Sequence, residues 1–352
     1  MAWQGIEGHE AIVAGFVAAE ARGRVAGSYL FVGPPGVGKG TFALALAKAL
    51  LCERPGSGLV PCGACRSCIQ AAAGSHPDID VISKPVDRAT IPLELLIGDD
   101  QHRMREGLVW RLLLRPALGA RKVAIILDAD HLAEEAANCL LKTLEEPPPG
   151  AVIILVGTAA ERQLPTIRSR CQTVRFRPLP TATVERILAA EARLAGGQED
   201  PAALRRRAVA AAGSLARGRS LADAEVGEFR GRLLALLGRR PLAGVELARD
   251  TIALVEAAGK DAPPRRARLR SVLETTVDLL RAALRQAVTH EPPADPDFHA
   301  AAAAWSHDPE ACAEALRNTL EALDAVDRNA NLTVLVDAWT AILEEPRLAR
   351  LA

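Results

Sequence analysis

The sequence predicts an α/β domain with a parallel sheet and a phosphate-binding loop, followed by a small helical domain and a larger all-α domain. Between Tyr29 and Leu51 it reads YLFVGPPGVGKGTFALALAKALL, an apolar strand pattern, a glycine-rich turn and a helical pattern in succession. Strand-like and helical segments then alternate as far as residue 177, which is typical of a parallel sheet. Beyond Pro178-Leu179-Pro180 the chain changes to long helices with almost no strand signal.

Composition and hydrophobic periodicity predict the elements along the chain. We predict a first helix within residues 5–22, a helix of mixed charge over 94–115 and an amphipathic helix over 132–146. Apolar or alternating runs predict strands at 29–32, 78–83, 123–127, 151–156 and 172–176. A final helix is indicated by apolar residues at helical spacing, namely Leu332, Leu335, Val336, Trp339 and Leu343. The predicted domains are 1–179, 180–222 and 223–352.

Composition excludes several classes of protein. Lys+Arg and Asp+Glu both number 43, so a formal charge of zero gives no sign of a nucleic-acid coat protein. No apolar run reaches the roughly 18 residues that span a bilayer, and MAWQGIEGHE lacks the pattern of a signal peptide. We therefore expect a cytoplasmic protein, in which the seven cysteines serve as metal ligands or core residues rather than as disulfides.

The glycine-rich turn has the composition of a nucleotide phosphate loop. Gly33, Gly36 and Gly38 let backbone N–H groups point inward, and the following helix directs its positive end at the same place. Lys39 adds a charge for the β- and γ-phosphates. The pattern requires a hydroxyl at position 40 for Mg²⁺, but Gly40 stands there and Thr41 follows one residue late.

Two polar residues end buried strands downstream of the loop. Asp128 directly follows the apolar run 123–127, at the kind of position where phosphate-loop enzymes hold Mg²⁺. A strand-ending turn aspartate without a metal is the alternative. Thr158 follows the strand 151–156 and joins the candidate nucleotide contacts.

Four of the seven cysteines form a candidate zinc module. Three thiols at intervals of three lie on a Gly/Pro-rich turn, with a fourth ten residues earlier, in the set Cys52, Cys62, Cys65 and Cys68. This spacing predicts one closed, four-sulfur structural zinc site rather than a catalytic one, which would keep an open position. Four unrelated thiols are the alternative. His76 is interpreted as a turn histidine before a strand and not as a further ligand.

These landmarks together resemble the AAA+ clamp-loader proteins of bacterial DNA polymerase III. The resembling segments span nearly the whole chain: GPPGVGKG, the four-cysteine module, GSHPDID, ILDADHL, ANCLLKTLEEPP, Ser169-Arg170-Cys171 and NANLTVLVDAW. The resemblance implies a helical lid at 180–222 and an oligomerisation collar at 223–352. It implies a hetero-oligomer with motor and delta subunits of the loader, which acts in DNA replication on the sliding clamp and primer-template DNA.

Departures from the family pattern indicate a subunit that has lost hydrolysis. The resemblance implies an Asp-Glu pair for Mg²⁺ and the attacking water, but here Ala129 follows Asp128. General-base catalysis is commonly worth about 10²–10⁴ in rate. The motif Gly213-Ser214-Leu215 should precede an arginine, but Ala216 occupies that position and Arg217 comes next.

Arg170, in contrast, is retained. The resemblance implies that this arginine reaches a neighbouring subunit's ATP, as an arginine finger worth roughly 10³–10⁵ in rate. We therefore expect a largely ATPase-inactive stator of the polymerase III holoenzyme, with a structural Zn²⁺; whether it binds ATP and Mg²⁺ is left open. The alternatives are an ATP-hydrolysing motor subunit (gamma/tau-like) and a nucleoside monophosphate kinase, whose loop resembles GPPGVGKGT.

Overall fold

The computed structural model describes residues 3–103, 105–197 and 199–348, and the side chains of these up to residue 344. The chain divides into two compact units. The first comprises Met1–Ile187 with Ala212–Ala216, and the second comprises Leu188–Ala211 with Arg217–Ala352. The three domain ranges derived from the sequence stay a prediction.

A five-stranded parallel sheet forms the first unit, as predicted. Its strands in chain order are β1 (Ser28–Val32), β2 (Ile79–Ile82), β3 (Lys122–Ile126), β4 (Ala151–Val156) and β5 (Gln172–Arg175). In space the order is β2-β3-β4-β1-β5. Tyr29 of β1 is opposite Ile154 on one side and Gln172 on the other. The inner strands β1, β3 and β4 are wholly buried, which their continuous apolar sequences require.

Helices cover both faces of this sheet. They are α1 (Glu10–Ala21), α2 (Lys39–Leu51), α3 (Arg66–Ala72), α4 (Glu94–Ile97), α5 (Gly107–Leu113), α6 (Glu134–Glu145) and α7 (Pro165–Arg168). Successive side chains of a strand point to opposite faces, so Leu30 and Phe31 of β1 enter different apolar clusters. Phe31 lies 5.8 Å from Phe42 and 5.2 Å from Phe176, measured between ring centroids. The loop after β1 is thus supported by a packed core on both faces.

The helix predicted over 94–115 is wrong as one element. The structure has two short helices, α4 and α5, with a turn between them. Gly98, the C-cap of α4, has a φ of +83°, and Gly107, the first residue of α5, has a φ of +84°; both are left-handed conformations that interrupt a right-handed helix. A side chain at Gly107 would lie 2.6 Å from the backbone nitrogen of Gly98. The two glycines therefore allow the two short helices to lie close together, and for the same reason the segment does not form one continuous helix.

The second unit is all-helical within the residues described. Its helices continue from α8, which begins in the first unit: α8 (Thr181–Leu194), α9 (Pro201–Ala210), α10 (Leu215–Ser220), α11 (Ala224–Leu237), α12 (Gly244–Ala257), α13 (Ala262–Thr289), α14 (His299–Ser306), α15 (Pro309–Asp327) and α16 (Leu332–Leu348). Val336, Trp339 and Leu343 are buried in one large core, as their spacing predicted. The Trp339 indole N–H donates to the Thr319 hydroxyl at 3.1 Å. The predicted fold class is therefore confirmed.

Candidate functional site

The glycine-rich loop lies between the carboxyl end of β1 and the first turn of α2. Gly33, with a φ of +150°, approaches the residue that follows β5 so closely that a Cβ would lie 2.3 Å from the Phe176 carbonyl oxygen. A Cβ at Gly36 would lie 2.1 Å from the Ser214 hydroxyl oxygen. The Gly36 carbonyl accepts a hydrogen bond of 2.9 Å from the Leu215 N–H. These glycines are required because backbone atoms at Gly33 and side-chain atoms at Gly36 occupy the space that a side chain would need.

The Lys39 side chain folds back onto the loop that precedes it. Its ammonium donates to the carbonyl oxygens of Gly33 at 2.6 Å and Pro34 at 2.7 Å, and the residue is buried. Burial lowers the pKa of Lys39 to about 8, although the carboxylates of Asp130 and Asp128 act to raise it. The loop therefore holds a positive charge that is easily lost at alkaline pH.

We expect Lys39 to titrate well below an ordinary lysine, whose pKa is about 10.4. The chain has six lysines, so their Cε resonances are separable by carbon NMR, and a Lys39→Arg variant identifies the signal by its loss. The expected midpoint lies near pH 8. Because the unfolded chain then holds more protons at this position between about pH 8 and 10.4, the free energy of unfolding rises with pH across that window. A midpoint near 10.4 would contradict the burial argument.

Position 40 faces the end of β3. A Cβ on Gly40 would lie 3.2 Å from the Leu127 side chain, next to Asp128. Consecutive helical residues are rotated by about 100°, so Thr41 is directed elsewhere, and it is exposed. The late hydroxyl of Thr41 therefore does not occupy the position that the loop pattern reserves for a magnesium ligand.

In the acidic segment after β3, one residue lies at the surface and the next lies in the core. Asp128 is exposed and has a φ of +54°. Ala129, at the position of the expected glutamate, is buried in the apolar cluster beneath the sheet. Asp130 accepts hydrogen bonds from the Thr158 N–H at 2.7 Å and its hydroxyl at 2.6 Å, and from the Gln163 amide at 2.6 Å. The Thr158 hydroxyl is thus engaged by a carboxylate.

Sequence reasoning gave Asp130 no role. The sequence held part of the signal, because the carboxyl ends of parallel strands meet at the same edge, but only the structure shows that β3 and β4 are neighbours. A carboxylate just after one strand and a threonine just after the next are then expected to pair.

Arg217 lies in the second unit and is held there. Its guanidinium forms an ion pair with Asp278 and donates to the Thr275 hydroxyl at 3.4 Å. The side chain is only 7% exposed. An arginine held in this way is not available for the role that the family resemblance implies at position 216.

Arg170 lies on the connection between α7 and β5, at the surface of the first unit. Its Nε donates to the Glu145 carboxylate at 2.9 Å, and its Nη1 donates to the Thr166 carbonyl at 3.1 Å and to the Ser169 hydroxyl at 3.3 Å. The side chain is 31% exposed. The neighbouring Cys171 is buried, and burial raises the pKa of its thiol to about 12, so it serves packing. Sequence reasoning missed the contact with Glu145.

The four cysteines of the module converge after α2, as their spacing predicted. Their sulfur atoms all lie within 4.8 Å of one another, in the set Cys52, Cys62, Cys65 and Cys68. A tetrahedral zinc with Zn–S bonds of about 2.3 Å requires sulfurs about 3.8 Å apart, and the Cys62 and Cys68 sulfurs are 3.9 Å apart. The cluster therefore has the number, chemistry and spacing of donors that a structural zinc needs.

Backbone N–H groups surround these sulfurs. The N–H groups of Cys62 and Cys65 point at the sulfurs of Cys52 and Cys62, at 3.2 and 3.3 Å. Hydrogen bonds from the Ala64 and Cys65 backbone lower the pKa of the exposed Cys62 thiol to about 6, whereas burial raises that of Cys68 to about 12. Such N–H groups stabilise thiolate, the form that binds metal.

His76 is a structural residue, as interpreted from the sequence. It is buried, its Nε2 contacts the Ser67 hydroxyl at 2.8 Å, and its Nδ1 accepts from the Asp78 N–H at 3.0 Å. Both ring nitrogens are used, and burial lowers its pKa. It therefore joins α3 to β2 and supplies no further ligand.

Comparison with known proteins supports the family resemblance. Residues 8–180 match the sequence model of a family described as DNA polymerase III, delta subunit. The delta-prime subunit of DNA polymerase III from Pseudomonas aeruginosa is 40% identical over 161 residues, or 46% of each chain. The Bacillus subtilis delta-prime subunit is 35% identical over 162 residues, covering 46% of this chain and 45% of that protein.

The gamma/tau subunit of Mycobacterium bovis is also similar, at 35% identity over 184 residues, which is 52% of this chain and 30% of that protein. The matched region thus spans less than half the length of each of these relatives. Within the described residues, no helix is long and apolar enough to cross a membrane. Over residues 8–180, the chain is therefore similar to the family described as DNA polymerase III, delta subunit, and to delta-prime subunits of DNA polymerase III.

Proposed function

We propose that the chain is a clamp-loader stator, which hydrolyses little ATP itself and donates Arg170 to the ATP site of a neighbouring motor subunit. The observation that carries this proposal is a contrast between two places in one unit. The phosphate loop lacks the groups that hydrolysis needs, whereas Arg170 is at the surface and its side chain is 31% exposed.

The phosphate loop of this chain is a poor catalyst of ATP hydrolysis for three separate reasons. Gly40 offers no hydroxyl for Mg²⁺, and Ala129 offers no carboxylate to orient a water molecule. The third is the lid motif, where Ala216 has replaced an arginine and Arg217 is engaged by Asp278. Lys39 and Asp128 remain, so weak binding of Mg²⁺ and ATP is compatible with the site, whereas efficient hydrolysis is not.

Arg170 has the chemistry of a group that acts on another subunit's phosphate. A guanidinium is permanently charged, and its planar fork of N–H donors can donate two parallel hydrogen bonds to phosphate oxygens. Arg170 precedes β5, an edge strand of the sheet, on a surface connection. Similarity to delta-prime and gamma/tau subunits supports other polymerase III subunits as partners. The family resemblance suggests that these are gamma/tau-type motor subunits and a delta subunit, and that the assembled loader binds the sliding clamp and primer-template DNA.

The cysteine cluster completes the proposal as a structural zinc module. Its four thiolates would hold one Zn²⁺ with no position left open for substrate or water. The ion would offset half of the negative charge of the four thiolates and tie together the loop 52–65 and the start of α3. This role is separate from nucleotide chemistry.

An ATPase assay on the isolated chain and on a mixture with its motor and delta subunits tests the stator assignment. We expect negligible turnover by the isolated chain, and no recovery from Ala129→Glu alone because Gly40 and Ala216 remain. The mixture is expected to hydrolyse ATP when clamp and DNA are present. The motor-subunit alternative is favoured instead if the isolated chain turns over ATP at the rate of a motor subunit and Lys39→Ala abolishes that activity.

A further inference from the structure

The last residue of α6 is connected to the proposed arginine finger. Glu145 is followed by Glu146 and then by Pro147, which ends the helix. The Glu145 carboxylate accepts the hydrogen bond from Arg170 Nε at 2.9 Å. Both glutamates are exposed, yet only Glu145 contacts a basic side chain among the described residues. Two adjacent residues of one type therefore differ in a single contact.

The contacts of Arg170 leave one end of its guanidinium available. Nε is held by Glu145, and Nη1 is held by the Thr166 carbonyl and the Ser169 hydroxyl. Within the part of the chain that the structure describes, Nη2 has no hydrogen-bond partner. Three acceptors thus fix the plane and direction of the group while its remaining N–H donors stay free for an anion.

We propose that Glu145 is the positioning residue for Arg170, which it holds in the orientation that reaches a neighbouring subunit's phosphate. This inference rests on the proposed stator function. An unrestrained arginine must give up rotamer freedom when it engages phosphate, whereas one that is already oriented gives up less. The carboxylate also opposes the positive charge of Arg170. The orienting effect dominates because Glu145 is 60% exposed, so that solvent screens its charge but the hydrogen bond acts locally.

The expected effect is modest. Exposed ion pairs change an equilibrium by about two- to five-fold, so Glu145→Ala should remove half to four fifths of the rate at the ATP site that Arg170 completes. Arg170→Ala should remove nearly all of the rate at that site. The loss of loader ATPase caused by Glu145→Ala is therefore expected to be half to four fifths of the loss caused by Arg170→Ala. This ratio does not depend on how many other sites are active.

The experiment is a double-mutant cycle in the assembled loader. DNA- and clamp-stimulated ATP hydrolysis is measured for Glu145→Ala, Arg170→Ala and the double variant, with Glu146→Ala as the matched control. We expect the double variant to equal Arg170→Ala and the control to equal the wild type. Glu145→Gln, which keeps an acceptor for Nε, should retain more activity than Glu145→Ala. Size-exclusion chromatography should show unchanged assembly for every variant.

The possible failures are distinguishable. If Arg170→Ala lowers hydrolysis but Glu145→Ala does not, or if Glu145→Ala has the same effect without Arg170, the positioning role is wrong and the stator function stands. Faster hydrolysis by Glu145→Gln would mean that the carboxylate restrains Arg170 through its charge, which also overturns the proposal. An Arg170→Ala loader with wild-type activity removes the stator function itself, and the role of Glu145 with it.

Discussion

Cys65→Ser is expected to reduce bound zinc from about one ion per chain to nearly none. Cys65 is the N-cap of α3, is buried, and accepts the Cys68 N–H at 3.4 Å in addition to its place in the sulfur cluster. A serine hydroxyl is neutral at pH 7 and does not complete a set of four thiolates. Three ligands remain, so the ion loses both a bond and the closure of its shell.

The loss of stability that follows the loss of zinc should be large and confined to the zinc module. Apparent binding free energies for structural zinc in small zinc-binding peptides are about 10–16 kcal/mol, and they contribute directly to folding. We expect hydrogen exchange to become much faster over residues 52–72, measured by mass spectrometry alongside elemental analysis for zinc. The sheet has its own apolar core, so its protection should remain.

Cys139→Ala is the matched control, because Cys139 is a thiol on α6 outside the cluster. That variant should keep its zinc and its exchange pattern. The zinc assignment is contradicted if wild-type protein purified without chelator contains no zinc and its residues 52–72 are nevertheless well protected from hydrogen exchange. ATP hydrolysis by a loader that contains Cys65→Ser should stay near that of the wild type.

Arg170→Ala is expected to have the largest effect on the reaction. An arginine finger is worth roughly 10³–10⁵ in rate at the site it completes, so that site should become almost silent. Folding, zinc content and assembly should remain, because the hydrogen bonds of the Arg170 side chain to described residues are with surface groups on α6 and around α7. The loader as a whole should lose only part of its DNA- and clamp-stimulated ATPase if other sites take arginines from other subunits.

Two further variants test the chemistry of this effect. Arg170→Lys should restore little activity, because an ammonium on a flexible stem does not reproduce the planar fork. Arg168→Ala provides the control, since Arg168 is an exposed arginine at the end of α7 and two residues away. Equal losses from Arg168→Ala and Arg170→Ala would indicate a general charge effect rather than a finger.

Local sequence patterns were sufficient for most of the architecture. All five strands were predicted from apolar or alternating runs. A strand of a sheet shows its pattern of buried residues in a few consecutive positions, so the pattern can be recognised locally in the sequence. The error at 94–115 has a different basis, since the segment from Gly98 to Gly107 is mostly charged or polar and has no apolar periodicity that would indicate a helix. Only the positive φ angles of those glycines show that the backbone turns there.

The sequence by itself determined the fold class, the phosphate loop with its missing hydroxyl, and the convergence of the four cysteines, because each depends on residues close together in the chain. Only the tertiary structure shows which residues form ion pairs with one another. Arg170 contacts Glu145, 25 residues away, and Arg217 contacts Asp278, 61 residues away. Such pairs form where elements meet, and periodicity along one segment carries no information about which other segment it packs against.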